Sequence, residues 1–250
     1  MRPNEPKGER KNMKMTFRWY GSQSDKITLK QIKQIPGCTG LMGVLDYKAA
    51  GEVWEEDEIK AYIDEVHAAG LECEVIESVN VHEDIKLGKP DRDRYIENYC
   101  ENIKRVAKAG VKCICYNFMP VFDWTRTQLD HRLPDGSTTL VYYQEQVDKV
   151  DPLKTDSDLT LPGWDASYSR EELKGIVAEY QKLSEEDLWN NLEYFLKKII
   201  PVAAEYDVNM AIHEDDPCWS IFGLPRIITD EKNLDRFLKL VDDRHNGITL

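Results

Sequence analysis

Two stretches of this 250-residue sequence follow one pattern: "EVHAAGLECEVIES" at residues 65–78 and "RVAKAGVKCICYNF" at residues 105–118. Each runs from the end of a helix through Ala-Gly into a short apolar strand. Gly70 and Gly110 therefore stand just past the helix, where glycine adopts the left-handed backbone conformation without steric cost. The pattern predicts a repeated unit of helix followed by strand.

A third copy, "PVAAEYDVNMAIHED" at residues 201–215, has Asp207 at the position of the two glycines. The helices of the first two copies are also visible in the sequence. Apolar residues recur at helical spacing over residues 57–69 and again over residues 91–109, which predicts one amphipathic helix in each range. The repeat therefore extends over most of the chain.

The helix of the third copy has its own start signal. Ser184 and Asp187 form a capping-box pattern, so we expect a helix to begin just after Ser184. Pro201 is expected to kink or restart this helix, because proline has no backbone N–H and its ring collides with the preceding turn.

The strands of the repeat are short and almost wholly apolar, as expected for strands covered on both faces. We expect them near residues 17–21, 39–45, 71–77, 111–118, 208–213 and 247–250. Strands that alternate with helices predict a parallel sheet. Evenly spaced units without a Gly-rich phosphate loop favour a (β/α)8 TIM barrel over a Rossmann sheet. The predicted fold class is therefore α/β.

One insertion interrupts the repeat after the fourth strand. Residues 121–170 show no helical periodicity and are rich in aromatic side chains. Within them, Pro134-Asp135-Gly136 predicts a turn between two short strands. A loop of this length in a compact domain is usually functional or disordered. Its aromatic content favours an ordered lid.

Composition excludes several classes of function. The formal charge of −13 argues against a nucleic-acid surface, which needs clustered Lys and Arg. No apolar run approaches the roughly 20 residues that cross a bilayer. Six cysteines without CxxC spacing predict a reducing, cytoplasmic environment, with Cys113 and Cys115 as core thiols. Residues 1–12 are polar and lack the apolar core of a secretory signal.

The predicted strand ends carry polar side chains, and in βα barrels the active site lies at the carboxyl ends of the strands. His213 is the most informative of them, as either a metal ligand or a hydrogen-bonded structural histidine. The others, in chain order, are Arg18, Trp19, Tyr20, Glu77, Ser78, Asn80, His82, Asn117, Asp123, Trp124, Arg126, Asp215 and Asp216. We expect one shared pocket at this end of the barrel.

Several of these residues allow two interpretations. Asp215 and Asp216 are either partners that fix the tautomer of a metal-bound His213 or the solvated start of a loop. His82 is either a surface loop residue or a contact for an acidic substrate. Arg126 either holds a substrate carboxylate in a bidentate fork or forms a salt bridge between lid and barrel.

Four motifs together closely resemble the mannonate dehydratase family of bacterial hexuronate degradation, from about Met13 to Leu250. They are "MTFRWYG" (15–21), "VIESVNVHEDIKLG" (75–88), "CYNFMPVFDWTRT" (115–127) and "MAIHEDDPCWSIFGLPRI" (210–227). Residues 1–12 lie outside the resemblance and are expected to be a leader. Residues 13–250 are then a catalytic domain that contains the 121–170 lid.

The resemblance implies a TIM barrel related to the xylose-isomerase-like sugar enzymes. It implies the dehydration of D-mannonate to 2-keto-3-deoxy-D-gluconate with Mn²⁺ or Fe²⁺, the metal bound by His213. Arg126 or Arg18 would hold the substrate carboxylate. Family members commonly form dimers, so a homodimer is expected, with no nucleic-acid or membrane partner. The full substrate-binding set implied is Arg18, Trp19, Ser78, His82, Asn117, Asp123, Trp124 and Arg126.

The resemblance also implies that part of the site is missing. The remaining ligands of the family, a Cys, a His and an Asp after the sixth, seventh and eighth strands, should follow Leu250, as should its proton-transfer His and Tyr. We therefore expect an incomplete barrel of about five and a half βα units that is inactive alone, with its catalytic residues unassigned. Two alternatives stay open: a sugar isomerase or epimerase on the same scaffold, and a metal-free fragment without catalysis.

Overall fold

The computed structural model describes residues 13–151 and 169–249. Three features expected from the sequence fall outside these residues. They are the leader at residues 1–12, the middle of the lid at 152–168, and Leu250. The fold and the candidate site below are built from the described residues.

Within the described ranges the chain forms eight strands. In chain order they are β1 (Met15–Arg18), β2 (Cys38–Gly43), β3 (Glu72–Glu77), β4 (Cys113–Tyr116), β5 (Gln128–Arg132), β6 (Thr138–Val141), β7 (Asn209–Ile212) and β8 (Asn246–Ile248). Six of them form one parallel sheet in the order β1-β2-β3-β4-β7-β8, and β5 and β6 form a separate hairpin. Consecutive parallel strands that pair in chain order are the arrangement of a βα barrel. The predicted α/β barrel class is confirmed, and all six predicted strands are present within a few residues.

Helices connect the parallel strands. Those in the described parts of the chain are α1 (Leu29–Ile32), α2 (Glu56–Ala68), α3 (Glu83–Lys86), α4 (Arg92–Lys108), α5 (Gln144–Val147), α6 (Arg170–Tyr180), α7 (Glu185–Glu205) and α8 (Glu231–Leu240). The predicted helices at 57–69 and 91–109 correspond to α2 and α4. The predicted capping box at Ser184 is present, because its side chain accepts from the N–H of Asp187 at the start of α7.

Pro201 does not restart α7, which continues from Glu185 to Glu205 with the proline inside it. Ile199 and Ile200 before the proline and Ala203 after it are all buried against the core. A proline inside a helix costs about 3 kcal/mol. The burial of apolar side chains on both sides of the proline outweighs that cost. Helix propensities do not include this burial, because it depends on tertiary contacts.

The ends of α2, α4 and α7 share one backbone geometry. Gly70 and Gly110 have φ angles of 72° and 95°, and Asp207 has a φ of 53°. Asp and Asn tolerate this left-handed region better than most side chains do, although at a cost that glycine does not have. The third copy of the repeat therefore turns from helix to strand as the first two do.

The core lies between the sheet and its helices. Phe195 of α7 is fully buried and packs against Tyr99 of α4, with ring centroids 5.0 Å apart. On the side of the sheet, its ring lies 5.9 Å from Tyr116 of β4 and 5.9 Å from Phe118. These contacts hold two neighbouring helices against the strand from which the lid departs.

The described part of the lid begins with the antiparallel hairpin of β5 and β6. The predicted turn is confirmed, since Pro134–Gly136 connect the two strands and Gly136 has a φ of 88°. Trp219, from the loop after β7, donates its indole N–H to Gln144 just beyond the hairpin, at 3.0 Å. None of the described helices is long and apolar enough to cross a membrane.

The φ of Asp207 gives a stability prediction. Asp207→Gly and Asp207→Ala both remove the carboxylate, so the two variants differ only in backbone preference. We expect the unfolding equilibrium constant of the Ala variant to exceed that of the Gly variant about five-fold, because only Gly adopts a φ of 53° without strain. Urea denaturation of both variants measures this ratio, and an Ala variant as stable as the Gly variant would contradict it.

Candidate active site

A cleft of about 540 Å³ opens at the carboxyl ends of the parallel strands. Its wall combines carboxyl, amide, hydroxyl and imidazole groups with one guanidinium group. The lining residues are Arg18, Tyr20, Val44, Asp46, Glu77, Ser78, Asn80, Cys115, Tyr116, Asn117, Met119, Asp123, Trp124, His213 and Asp216. The structure thus brings together ten of the fourteen residues predicted from the strand ends, namely Arg18, Tyr20, Glu77, Ser78, Asn80, Asn117, Asp123, Trp124, His213 and Asp216.

His213 follows β7, and its backbone N–H donates to the carbonyl of Tyr116 at 2.7 Å. Its ring Nδ1 lies 2.7 Å from the carbonyl oxygen of Glu214. Because a carbonyl oxygen only accepts, Nδ1 carries the proton in this contact, and Nε2 keeps its lone pair. Nε2 makes no hydrogen bond to any of the described residues. The backbone therefore selects the tautomer in which Nε2 is free to bind a ligand.

This arrangement suits one ligand of a divalent metal ion. Metal-binding histidines commonly donate their other ring N–H to a carbonyl or carboxylate, as His213 does. Over residues 13–151 and 169–249, no group of three or more His, Cys, Asp or Glu side chains is placed to hold a metal ion. Among the described residues that line the cleft, His213 is the only histidine.

Asn117 and Asp123 form a hydrogen-bonded pair in the wall. Asn117 Oδ1 accepts the backbone N–H of Met119 at 3.2 Å, which fixes the orientation of its amide. Its Nδ2 then donates to Asp123 Oδ2 at 3.1 Å. Burial raises the pKa of Asp123, and the positive charge of Lys86 acts in the opposite direction. The pair presents hydrogen-bonding groups with a defined orientation to the cleft.

Arg18, Tyr20 and Glu77 form a second polar group in the wall. The Arg18 guanidinium carbon lies 4.3 Å above the centre of the Tyr20 ring. Its Nε is 3.5 Å from Glu77 Oε2, and its Nη1 is 3.4 Å from the carbonyl of Met42. Residues 18 and 20 face the same side because side chains alternate along an extended chain.

The same alternation corrects the expected role of Trp19. Its side chain points away from the cleft and is only 1% exposed. The indole N–H donates to the carbonyl of Ile27 at 2.9 Å, and the ring packs against Tyr62 of α2. Trp19 is therefore a core residue beneath the cleft and does not line it.

His82 also lies outside the cleft, which corrects its expected contact with a substrate. Its Nδ1 accepts the backbone N–H of Asp84 at 3.1 Å and so caps the start of α3. Its ring stacks on Tyr95, with centroids 3.5 Å apart. Burial lowers the pKa of His82, which favours the neutral ring that this acceptor role requires.

Asp215 is buried, and its carboxylate is bound by the backbone of a neighbouring segment of the chain. Its Oδ2 accepts two backbone N–H groups, from Ile227 at 2.7 Å and from Ile228 at 3.0 Å. Burial raises the pKa of Asp215, while the nearby Arg226 guanidinium lowers it. The expectation that Asp215 fixes the tautomer of His213 is corrected, because the carbonyl of Glu214 does so and Asp215 holds its own loop together.

Arg126 and Asp216 form a bidentate ion pair, with Nη1–Oδ1 at 2.9 Å and Nη2–Oδ2 at 2.7 Å. Arg126 Nη1 also donates to the carbonyl of Thr125 at 2.8 Å, and its guanidinium carbon lies 5.6 Å from the Trp124 ring centre. Arg126 was expected either to hold a substrate carboxylate or to form a salt bridge between lid and barrel. In the structure it forms the salt bridge, from the lid to the loop after β7. Asp216 lines the cleft with its carboxylate held by this pair.

Sequence reasoning overlooked some lining residues. Asp46 follows the carboxyl end of β2, so the rule that places site residues at strand ends applies to it as well. Cys115 was expected only as a core thiol, but it lies beside Glu77, with Sγ 3.7 Å from Oε1. The overlooked set is Val44, Asp46, Cys115, Tyr116 and Met119.

A polar cleft at the carboxyl ends of consecutive parallel strands lies where βα-barrel enzymes have their active sites. The chain belongs to the D-mannonate dehydratase family, because the family model "D-mannonate dehydratase (UxuA)" matches residues 13–250. It is 53% identical over 238 residues to mannonate dehydratase 2 of Halalkalibacterium halodurans, which covers 95% of this chain and 68% of that protein. It is 55% identical over 239 residues to a mannonate dehydratase of Streptococcus suis, which covers 95% of this chain and 64% of that protein.

The solved structures agree with the sequence relatives. The crystal structure of mannonate dehydratase from Streptococcus suis serotype 2 superposes with a TM-score of 0.86 at 50% identity, over 96% of this chain and 64% of that chain. The chain thus spans about two thirds of the length of the relatives it matches. The fold and the family are shown over this shared region.

The surroundings of Cys115 predict a slow reaction with thiol reagents. Burial raises the pKa of Cys115 to about 12, so very little thiolate is present at pH 8. We expect iodoacetamide to modify the exposed Cys218 first and to leave Cys115 intact in the native protein. Peptide mass spectrometry after timed alkylation checks this, and equal rates for both cysteines would contradict it.

The Arg126–Asp216 pair predicts a measurable coupling. The pair is bidentate and partly buried, so we expect a coupling energy of about 1 kcal/mol in a double-mutant cycle of Arg126→Met and Asp216→Leu. The free energy of unfolding is measured by urea titration for the wild type, the two single variants and the double variant. Arg236 and Glu186, an exposed pair, give a control cycle with a smaller coupling. Equal coupling in both cycles would mean that burial of the first pair adds nothing.

Proposed function

We propose that this chain carries the substrate-facing part of a metal-dependent dehydratase that converts D-mannonate to 2-keto-3-deoxy-D-gluconate. The observation that carries the proposal is the tautomer of His213. In this member of the family, His213 presents an imidazole Nε2 lone pair at the cleft, oriented by the carbonyl of Glu214. The names of the relatives support the substrate and the reaction.

The metal is proposed to be Mn²⁺ or Fe²⁺, with His213 Nε2 as one ligand. When bound, such an ion would supply positive charge next to the negative charge that develops when the proton beside the substrate carboxylate is removed. The residues of the chain would orient the substrate. The Asn117 amide and the Asp123 carboxyl offer hydrogen bonds to sugar hydroxyls, and Trp124 contributes an apolar wall on the lid side.

We also propose a cytoplasmic location and a homodimer. The cytoplasm is supported by six cysteines that are all free thiols in the structure, since such residues are typical of a reducing compartment. The dimer rests on the resemblance to the family. The formal charge of −13 supports an absence of nucleic-acid partners, and the proposed partner of the cleft is the sugar acid.

The test is an assay for 2-keto-3-deoxygluconate formed from D-mannonate with Mn²⁺ or Fe²⁺. Two proteins are compared: the 250-residue chain, and a fusion of it to the part of the Streptococcus suis mannonate dehydratase that follows the matched region. We expect product from the fusion and none from the chain alone, because one imidazole does not hold such an ion tightly. Turnover by the 250 residues alone would contradict the proposal that they hold only part of the site.

The role of His213 is tested in the same fusion. His213→Gln is expected to lower kcat/KM at least about 100-fold and to reduce the bound metal measured by elemental analysis. His67→Gln, on the exposed face of α2, is the matched control and should leave both unchanged. A His213→Gln fusion that keeps full metal content and full activity would refute the assignment. A fusion that takes up metal and isomerises a sugar would favour the alternative activity on the same scaffold.

A further inference from the structure

We infer that Arg18, and not Arg126, binds the carboxylate of the sugar acid, with Tyr20 as the residue that positions its guanidinium group. This inference rests on the proposed function for the choice of a sugar acid as ligand. It rests on the geometry of the two arginines for the choice of residue.

The two arginines differ in how far their donors are already used. Arg126 makes three hydrogen bonds of 2.7 to 2.9 Å, two of them to Asp216, and it does not line the cleft. A substrate carboxylate would have to break a bidentate ion pair to reach it. Arg126 is therefore committed to holding the lid and Asp216 in place.

Arg18 lines the cleft, and its contacts are long. Its Nε lies 3.5 Å from Glu77 in an ion pair, and its Nη1 donates to the carbonyl of Met42 at 3.4 Å, a long hydrogen bond. Its Nη2 donates to none of the described residues. The group is thus oriented by its neighbours, while the donors that a bidentate carboxylate needs remain available.

Tyr20 accounts for the orientation. The guanidinium carbon lies 4.3 Å above the Tyr20 ring, a cation–π distance that restricts the plane of the guanidinium group. Glu77, at one edge of the guanidinium group, limits its rotation further. Because Tyr20 is two residues beyond Arg18, it lies on the same side of the chain, and the pair enters the cleft together.

The charge of the wall gives an independent reason. Four carboxyl groups line the cleft, those of Asp46, Glu77, Asp123 and Asp216, whereas Arg18 is the only Lys or Arg among its described lining residues. An anionic ligand is repelled by most of this surface. Its carboxylate therefore has one favourable position among the side chains of the wall, next to Arg18.

The experiment is a titration of the 250-residue chain in buffer with EDTA, so that metal does not contribute to carboxylate binding. D-Mannonate is compared with D-mannitol, its uncharged counterpart, and with D-glycerate, a short hydroxy acid. We expect both acids to bind and Arg18→Met to weaken them about 10-fold or more, the loss of one charge-assisted bidentate contact. The weak binding of D-mannitol should not change.

Three further variants make the result specific. Arg126→Met should weaken acid binding less than Arg18→Met does, and Arg236→Met, a surface arginine on α8, should not weaken it. Tyr20→Leu should weaken acid binding several-fold, and Tyr20→Phe should restore it because the ring is kept. Arg18→Lys keeps the charge but not the bidentate geometry, so its affinity for the acids should lie between those of the wild type and Arg18→Met. This variant also tests the inference if Arg18→Met does not fold.

The outcomes separate this inference from the proposed function. Acid binding that Arg18→Met abolishes supports the inference even if the fusion forms no 2-keto-3-deoxygluconate. A larger loss in Arg126→Met, or a wild-type chain that binds D-mannonate no better than D-mannitol, would overturn it even if the dehydratase assay is positive.

Discussion

The site depends on the parallel pairing of β4 with β7. The chain leaves the sheet after Tyr116, forms the lid and two helices, and returns at Asn209 beside the strand it left. The register pairs Cys113 with Asn209 and Tyr116 with Ile212, and the N–H of His213 adds one more bond to the carbonyl of Tyr116 at 2.7 Å. This register places the loop that begins with Asn117 next to the loop that begins with His213. A shift by one residue would turn the imidazole to the opposite face of the sheet.

In the loop after β7, the adjacent residues Asp215 and Asp216 make different contacts. Asp215 turns inward and accepts the N–H groups of Ile227 and Ile228, which closes its own loop. Asp216 turns towards the cleft and pairs with Arg126 at the start of the lid. Neither acts on the His213 ring, whose tautomer is set by the backbone of Glu214. The polar groups thus hold three segments in place and leave the Nε2 lone pair free.

Much of the fold could be predicted from local patterns. Helix periodicity gave α2 and α4, the capping box at Ser184 gave the start of α7, and Pro134-Asp135-Gly136 gave the hairpin turn. The start of α6 had the same type of signal, since Ser169 and Glu172 form a capping box, but the aromatic lid sequence around it obscured the helix. Pro201 does not restart the helix, because α7 buries apolar side chains on both sides of it.

The location of the candidate site could be predicted from the sequence, but the placement of some individual side chains could not. The rule that barrel sites lie at the carboxyl ends of strands located ten of the fifteen residues that line the cleft. It misplaced Trp19 because the direction of a side chain at a strand end depends on the strand's face. It misplaced His82 because a histidine in a loop can cap a helix as well as meet a ligand.

The sequence by itself determined the class of fold, the approximate bounds of the strands and the family, because these depend on periodicity and on motifs local to the chain. Only the tertiary structure decided which side chains share the cleft and what state they are in. Arg18 and Arg126 carry the same guanidinium group. Arg18 makes only one long hydrogen bond with the described residues, whereas Arg126 is bound by Asp216, 90 residues away in sequence. That difference arises from contacts between distant segments, which no local pattern encodes.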